Sequence, residues 1–102
     1  MRKIETTSAF KRDFKREAKG QHRAVLDTEL KQVITALAND LPLAAKYRDH
    51  PLSGIWRAYR DCHVRPDLVL IYQLANGDGQ AMQDKLARLI LVRLGSHSEL
   101  DL

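Results

Sequence analysis

The sequence predicts an α+β domain: an antiparallel sheet with an N-terminal helical hairpin packed on one face. Apolar residues recur at helical spacing as far as Ala38 and then, from Ile55 onward, at strand spacing or in unbroken runs. At 102 residues the chain has length for one hydrophobic core and no second domain. Helical and extended periods that occupy separate halves of a chain fold into segregated layers.

The elements follow in order. Arg2–Thr6 reads as a short strand, and Thr7 or Ser8 caps a helix marked by Phe10, Phe14 and Ala18. Gly20 is expected to stop it by adopting the left-handed conformation. A second helix is expected from about His22 to Ala38, with Leu26, Leu30, Val33, Ile34 and Leu37 as its apolar stripe. Asn39, Asp40 and Pro42 close it. With only Gly20 and Gln21 between them, the two helices should run antiparallel. Leu43–Gly54 is an irregular connection to three strands, Ile55–Val64, Leu68–Leu74 and Leu86–Leu94. Arg65-Pro66-Asp67 is a tight hairpin turn, whereas Ala75–Lys85, with Asn76-Gly77 and Asp78-Gly79, is a longer polar one. No further amphipathic helix remains to cover the second face of the sheet, and that face, or part of it, is expected to stay open to solvent.

Composition narrows the function classes. No apolar run approaches the roughly 20 residues of a membrane helix, and no hydrophobic stretch follows the charged N-terminus as in a signal peptide. One cysteine, Cys62, excludes an internal disulfide framework and fits a reducing cytoplasm. The net charge is +4, and the excess sits in the first 23 residues, which carry eight basic and three acidic side chains. Such a stretch suits a polyanionic partner or serves as a solvated helix face.

The residues that could carry chemistry are His50, His63 and His97, in Asp49-His50-Pro51-Leu52, Tyr59-Arg60-Asp61-Cys62-His63-Val64-Arg65-Pro66-Asp67 and Arg93-Leu94-Gly95-Ser96-His97-Ser98-Glu99-Leu100. Imidazoles titrate near neutrality, and with aspartate and arginine they suit acid–base chemistry on a phosphate. Along the first strand Arg57, Tyr59, Asp61 and His63 should share one face, and Trp56, Ala58, Cys62 and Val64 the other. Arg60 falls among the apolar set, which a bulge or an edge position would resolve. Each histidine also has a structural reading: His50 as a turn cap, His97 as a helix cap, His63 as the cross-strand partner of Tyr72. No metal site is expected, because no two of the three stand at helical ligand spacing and there is one cysteine. Cys62, pointing away from His63, reads as a small apolar filler. Phosphate-binding loops, dinucleotide fingerprints and nucleophile elbows are missing, and no cofactor is expected.

These three segments, the middle one continuing through Leu68-Val69-Leu70-Ile71-Tyr72, resemble YafQ-type toxins of the RelE/ParE superfamily of bacterial toxin–antitoxin modules. The similarity runs through most of residues 41–100, and the order of elements agrees over the whole chain. The resemblance implies one RelE-like toxin domain over residues 1–102, acting in the cytoplasm as a metal-independent mRNA endonuclease in the ribosomal A site. A cognate antitoxin would neutralise it in a heterotetramer. The resemblance makes His50, His63, Asp67 and His97 the catalytic group and puts Arg93 beside the phosphate. His97 is then the general acid, Asp67 or His63 the general base, Arg93 the transition-state stabiliser, and His50 orients substrate or assists protonation. Arg57, Arg60, Lys11, Lys15 and Arg16 complete the residues expected to bind RNA. The chain departs from the family in Asp101, where an aromatic residue commonly follows the Ser-Glu-Leu stretch, and in the length of the 75–85 loop. A ParE-like gyrase poison, or a non-catalytic RNA- or protein-binding module built on the basic helix, is the alternative.

Overall fold

A computed structural model describes residues 1–75 and 87–102, so the polar stretch expected at 75–85, Ala75 apart, and the start of the strand expected from Leu86 lie outside the described residues. The elements are β1 (Lys3–Thr6), α1 (Ser8–Ala18), α2 (Arg23–Asp27), α3 (Glu29–Ala38), β2 (His50–Pro51), β3 (Arg60–Arg65), β4 (Leu68–Ala75), β5 (Arg88–Gly95) and α4 (His97–Leu100). Single 3₁₀ turns occupy Ala45–Tyr47 and Gly54–Trp56. The fold is α+β, with five strands among the described residues, in the order β1-β5-β4-β3-β2.

The sheet is mixed, not wholly antiparallel. Strands β2 to β5 pair antiparallel, but β1 lies parallel to β5, with Lys3 opposite Arg88 and Thr6 opposite Leu91. A parallel pair needs a long crossover, and here nearly the whole chain separates the partners. Beyond Leu91, β5 has no strand on that side among the described residues, and α1 and its cap satisfy the edge with side chains. Thr7 Oγ1 donates to the Val92 carbonyl at 2.7 Å, Leu94 N donates to Asp13 Oδ2 at 3.0 Å, and Arg16 Nη2 donates to the Leu94 carbonyl at 2.9 Å. Buried backbone groups are nearly always paired, so these bonds fix α1 against β5. Gly95 permits the approach: a Cβ there would stand 2.8 Å from Arg16 Nη2.

In place of the two expected helical arms there are three segments. Thr7 caps α1 as anticipated, its hydroxyl accepting from Phe10 N at 3.0 Å, but Phe14 is 37% exposed while Phe10 is buried. The expected stop at Gly20 differs: α1 ends at Ala18 with Lys19 in the right-handed region, and Gly20 has no positive φ. The expected helix His22–Ala38 breaks at Thr28 (φ −120°, ψ −87°), whose hydroxyl donates to the Ala24 carbonyl at 3.0 Å. A threonine bonding back to the preceding turn competes with the helix and bends it. Asp40 closes α3 in the left-handed region, with Leu41 N donating to the Ala36 carbonyl and Asp40 N to that of Leu37.

Both sheet faces are occupied. On one, Phe10, Leu26, Leu30, Val33 and Leu37 of the helices pack on Cys62, Leu68, Leu70, Tyr72, Leu89, Leu91 and Leu94. Burying such side chains contributes roughly 1.5–3 kcal/mol each and drives the layers together. Cys62 is a buried member of this core, and burial pushes its thiol well above the usual range. The other face, expected to stay open in whole or in part, is covered in part: Leu100 of α4, with Leu52, Trp56, Tyr59 and Val92, lies over Val69 and Ile71. Trp56 therefore lies opposite to its expected side: the strand begins at Arg60, and alternation of faces does not extend back to a 3₁₀ turn.

Candidate active site

The second face is where three histidines meet. In β3, Asp61 and His63 project to it; His50 of β2 stands in register with Asp61, and His63 with Val69. Val69 in turn faces Gly95, so His63, Val69 and Gly95 form one row across β3, β4 and β5. The chain leaves β5 at Gly95 and turns back as α4, burying Leu100 on Val69 and Ile71. That return carries His97 across β4 to His63. Ring centroids are 4.9 Å apart for His63–His97, edge to face, and 6.2 Å for His50–His63.

Short-range bonds fix the outer two rings. Ser96 Oγ accepts from Glu99 N at 3.2 Å and Ser96 N donates to Glu99 Oε1 at 2.9 Å, a reciprocal cap that sets α4 and with it His97. His50 Nδ1 lies 2.6 Å from the carbonyl of Arg48, a residue turned into the left-handed region at φ 49°. A carbonyl only accepts, so Nδ1 carries the hydrogen and Nε2 is left for chemistry. Asp61 Oδ1, 3.1 Å from the same Nδ1, receives no hydrogen bond, although Asp61 is buried.

Charge at this site is therefore unevenly satisfied. Burial raises the Asp61 pKa above the ordinary aspartate range, against the pull of His50, His63 and His97. Partial burial, with the charges of His97, His50 and Arg48, lowers the His63 pKa against the pull of Asp61. His63 is thereby kept neutral and able to accept a proton near pH 7.

Beside the pair His63 and His97 lies a groove of about 590 Å³, bordered also by Lys46, Tyr47, Arg48 and Arg65. Lys46 Nζ stands 5.0 Å over the Tyr47 ring, and Arg65 Nη2 is 3.1 Å from Glu29 Oε1. The groove is of a size that holds a nucleotide, and its wall is cationic.

The remaining expected site residues are distributed elsewhere. Asp67, on the β3–β4 turn, is exposed and bonded to His22, with Nε2 of that ring 3.0 Å from Asp67 Oδ1. Arg93 donates from Nε to Asp13 Oδ2 at 2.7 Å and from Nη2 to Asp13 Oδ1 at 3.3 Å. Arg16 is also held, by Asp13, Glu17 and Glu99. Arg60 reaches Asp49 and the Tyr72 hydroxyl, both at 3.3 Å, and Tyr72 donates to Asp49. The bulge of β3 falls between His63 and Arg65, not at Arg60, which is paired with Pro51 of the short edge strand. Tyr72 is thus the partner of Arg60, and the reading of His63 against Tyr72 does not hold. Lys11, Lys15 and Arg57 are exposed. Among the described residues no group of three or more His, Cys, Asp or Glu is arranged to hold a metal ion.

Sequence reasoning passed over His22, Asp13 and the groove cations. Asp61 alone had a signal, its period-two spacing from His63.

A family model for the YafQ toxin of bacterial type II toxin–antitoxin systems matches residues 2–102. The chain is 42% identical over 100 residues to the mRNA interferase toxin YafQ of Escherichia coli strain K12, covering 97% of this chain and 95% of that one. Its fold is similar to the toxin in the crystal structure of the E. coli DinJ–YafQ complex, with TM-score 0.74, 39% identity and 98% of both chains covered. It is also similar to a metal-bound toxin from Helicobacter pylori, with TM-score 0.76, 42% identity and coverage of 98% and 99%.

Proposed function

The chain belongs to the YafQ family of toxins of bacterial type II toxin–antitoxin systems, and from that premise we propose that it is an endoribonuclease that cleaves translated mRNA in the ribosomal A site. The observation that carries the reading is the meeting of His50, His63 and His97 around the buried Asp61, beside a cationic groove. Neither a gyrase poison nor a binding module needs that convergence.

In the proposed reaction, a base removes the proton of the 2′-hydroxyl, whose oxygen attacks the adjacent phosphorus. The bond to the 5′-oxygen breaks, and an acid protonates that oxygen, leaving a 2′,3′-cyclic phosphate and a 5′-hydroxyl. The depressed pKa of His63 supports it as base, with Asp67 the other candidate. His97, exposed on α4, is the acid. His50, its tautomer set by Arg48, orients the substrate through Nε2. Negative charge gathering on phosphorus is offset by Arg93 through Nη1, its other two nitrogens being bound to Asp13, and by Lys46 and Arg48 of the groove. Lys11, Lys15 and Arg57 are proposed contacts to more distant RNA, while Arg16 and Arg60 act through the frame that holds β5 and β3.

The reaction needs no metal in this scheme, although the H. pylori relative has been crystallised with one. A cognate antitoxin is the proposed partner, by analogy with DinJ in the E. coli complex, in a heterotetramer. It would cover the basic N-terminal residues, so added salt should slow association. No helix of the described residues is long and apolar enough to cross a membrane, and an enzyme acting on translating ribosomes would work in the cytoplasm.

The test is cleavage of an mRNA by the purified chain, with and without translating ribosomes. Cleavage confined to the translated message and persisting under a zinc-selective chelator supports the proposal. Cleavage of free RNA, or restoration by zinc after chelation, refutes ribosome dependence or metal independence respectively.

A further inference from the structure

The fourth histidine, His22, lies outside the cluster on the second face. It precedes α2, is 9% exposed, and stands between two carboxylates: Nδ1 is 3.1 Å from Glu17 Oε1 and Nε2 is 3.0 Å from Asp67 Oδ1. Ionised carboxylates only accept hydrogen bonds, so both ring nitrogens must donate and the ring must be an imidazolium. The second Asp67 oxygen is near Gln21 Nε2, at a long 3.4 Å, and the Asp67 side chain is 60% exposed.

We propose that His22 is a positioning residue for RNA cleavage, holding Asp67 by one oxygen so that the other is presented to the substrate. The inference rests on the proposed participation of Asp67 in the reaction. A carboxylate on an exposed turn otherwise turns freely among rotamers, and a misplaced catalytic group costs rate. His22 removes that freedom because the buried ring is held by Glu17, which Arg16 anchors in turn through a 3.0 Å contact to Nε. The Asp67 carboxylate is also kept ionised: the hydrogen bond from His22 holds its pKa below the ordinary range, helped by the charges of His22 and Arg65. Reciprocally, burial disfavours the His22 cation, but Asp67 and Glu17 outweigh it and raise its pKa. Glu17 faces this ring from α1 and Asp67 from the β3–β4 turn.

The experiment is a double-mutant cycle on ribosome-dependent cleavage with His22→Ala and Asp67→Asn, together with NMR titration of the His22 ring. His22→Ala should slow cleavage by about tenfold to a hundredfold at saturating substrate, and should cost nothing further in Asp67→Asn. The His22 pKa should fall in Asp67→Asn. A His22→Ala loss of equal size in both backgrounds, or no loss in the wild-type background, overturns the positioning role. Wild-type cleavage by Asp67→Asn overturns the underlying reading of Asp67, and the NMR shift then reports a purely structural bond. If His22→Ala fails to fold, His22→Gln, which keeps one donor, carries the same comparison.

Discussion

The ring of His97 meets that of His63 edge to face, with centroids 4.9 Å apart. Two imidazolium ions at that distance repel, so the pair favours states in which one ring is neutral. Burial already depresses His63, and the neighbouring His97 depresses it further. The pair is thus biased toward a neutral His63, able to accept a proton as phosphodiester cleavage needs of its base.

His97→Ala should reduce cleavage by about a hundredfold to ten-thousandfold, the usual range for a lost proton-transfer group. Because His97 is exposed, the fold should persist. Removing the ring both uncovers His63 and deletes a neighbouring charge, so the His63 pKa should rise toward its ordinary value. Single-turnover cleavage and an NMR titration of His63 measure the two effects. A near wild-type rate would remove His97 from the mechanism.

Asp13→Asn should destabilise the protein by about 3 kcal/mol near neutral pH, the low end for breaking a buried ion pair. Asp13 is 3% exposed and accepts from Arg93, Arg16 and the Leu94 amide. Burial pushes its pKa up, but those bonds and charges prevail and the net shift is downward. A carboxyl depressed in the folded state contributes stability above its unfolded pKa and loses it as pH falls through the folded value. Urea unfolding should therefore show the variant's deficit at pH 7 and a shrinking deficit below about pH 4.

The opposite sign applies to Asp61, whose pKa burial raises. Its ionised form is disfavoured in the folded protein, so the associated stability is present at low pH and lost as pH rises through the folded value. Asp61→Asn should then gain on the order of 1 kcal/mol at pH 7, with the gain vanishing in acid. Loss of the carboxylate also removes a charge that raises the His63 pKa. The acid limb of the cleavage profile should move to lower pH. Unchanged stability together with an unmoved limb would mean that Asp61 is neutral in the native protein.

Side-chain period explains what was legible beforehand. Asp61 and His63 lie two apart on a real strand and share the expected face, while Leu30, Val33 and Leu37 mark the buried face of a real helix. Trp56 failed the same test because its segment is a 3₁₀ turn, which alternation does not describe. The break at Thr28 depends on one hydroxyl bond, and a threonine inside a helical pattern leaves no periodic trace. The return of α4 over β4 depends on Leu100 finding Val69 and Ile71, a contact between residues about 30 apart. The pairings Asp13–Arg93 and His22–Asp67 are likewise long-range, and charge counts along the chain do not reveal them.

Helix α4 ends with Leu102 N donating to the His97 carbonyl at 2.9 Å and Asp101 N to that of Ser98 at 3.4 Å, which requires Asp101 in the left-handed region at φ 62°. Aspartate tolerates that conformation better than a bulky side chain does. An aromatic residue at position 101 would be strained by roughly 1–2 kcal/mol if the same geometry were kept. It could offset this on RNA by stacking on a base, worth about 1–3 kcal/mol in single-strand binders. Asp101→Phe should thus lower the Tm of the free protein while lowering the KM for ribosome-bound mRNA. Asp101→Gly relieves the conformation without supplying a ring, and should leave KM unchanged and the Tm no lower. If both variants lower KM equally, stacking is not the cause; the gain would then come from deleting the negative charge of Asp101 near the RNA.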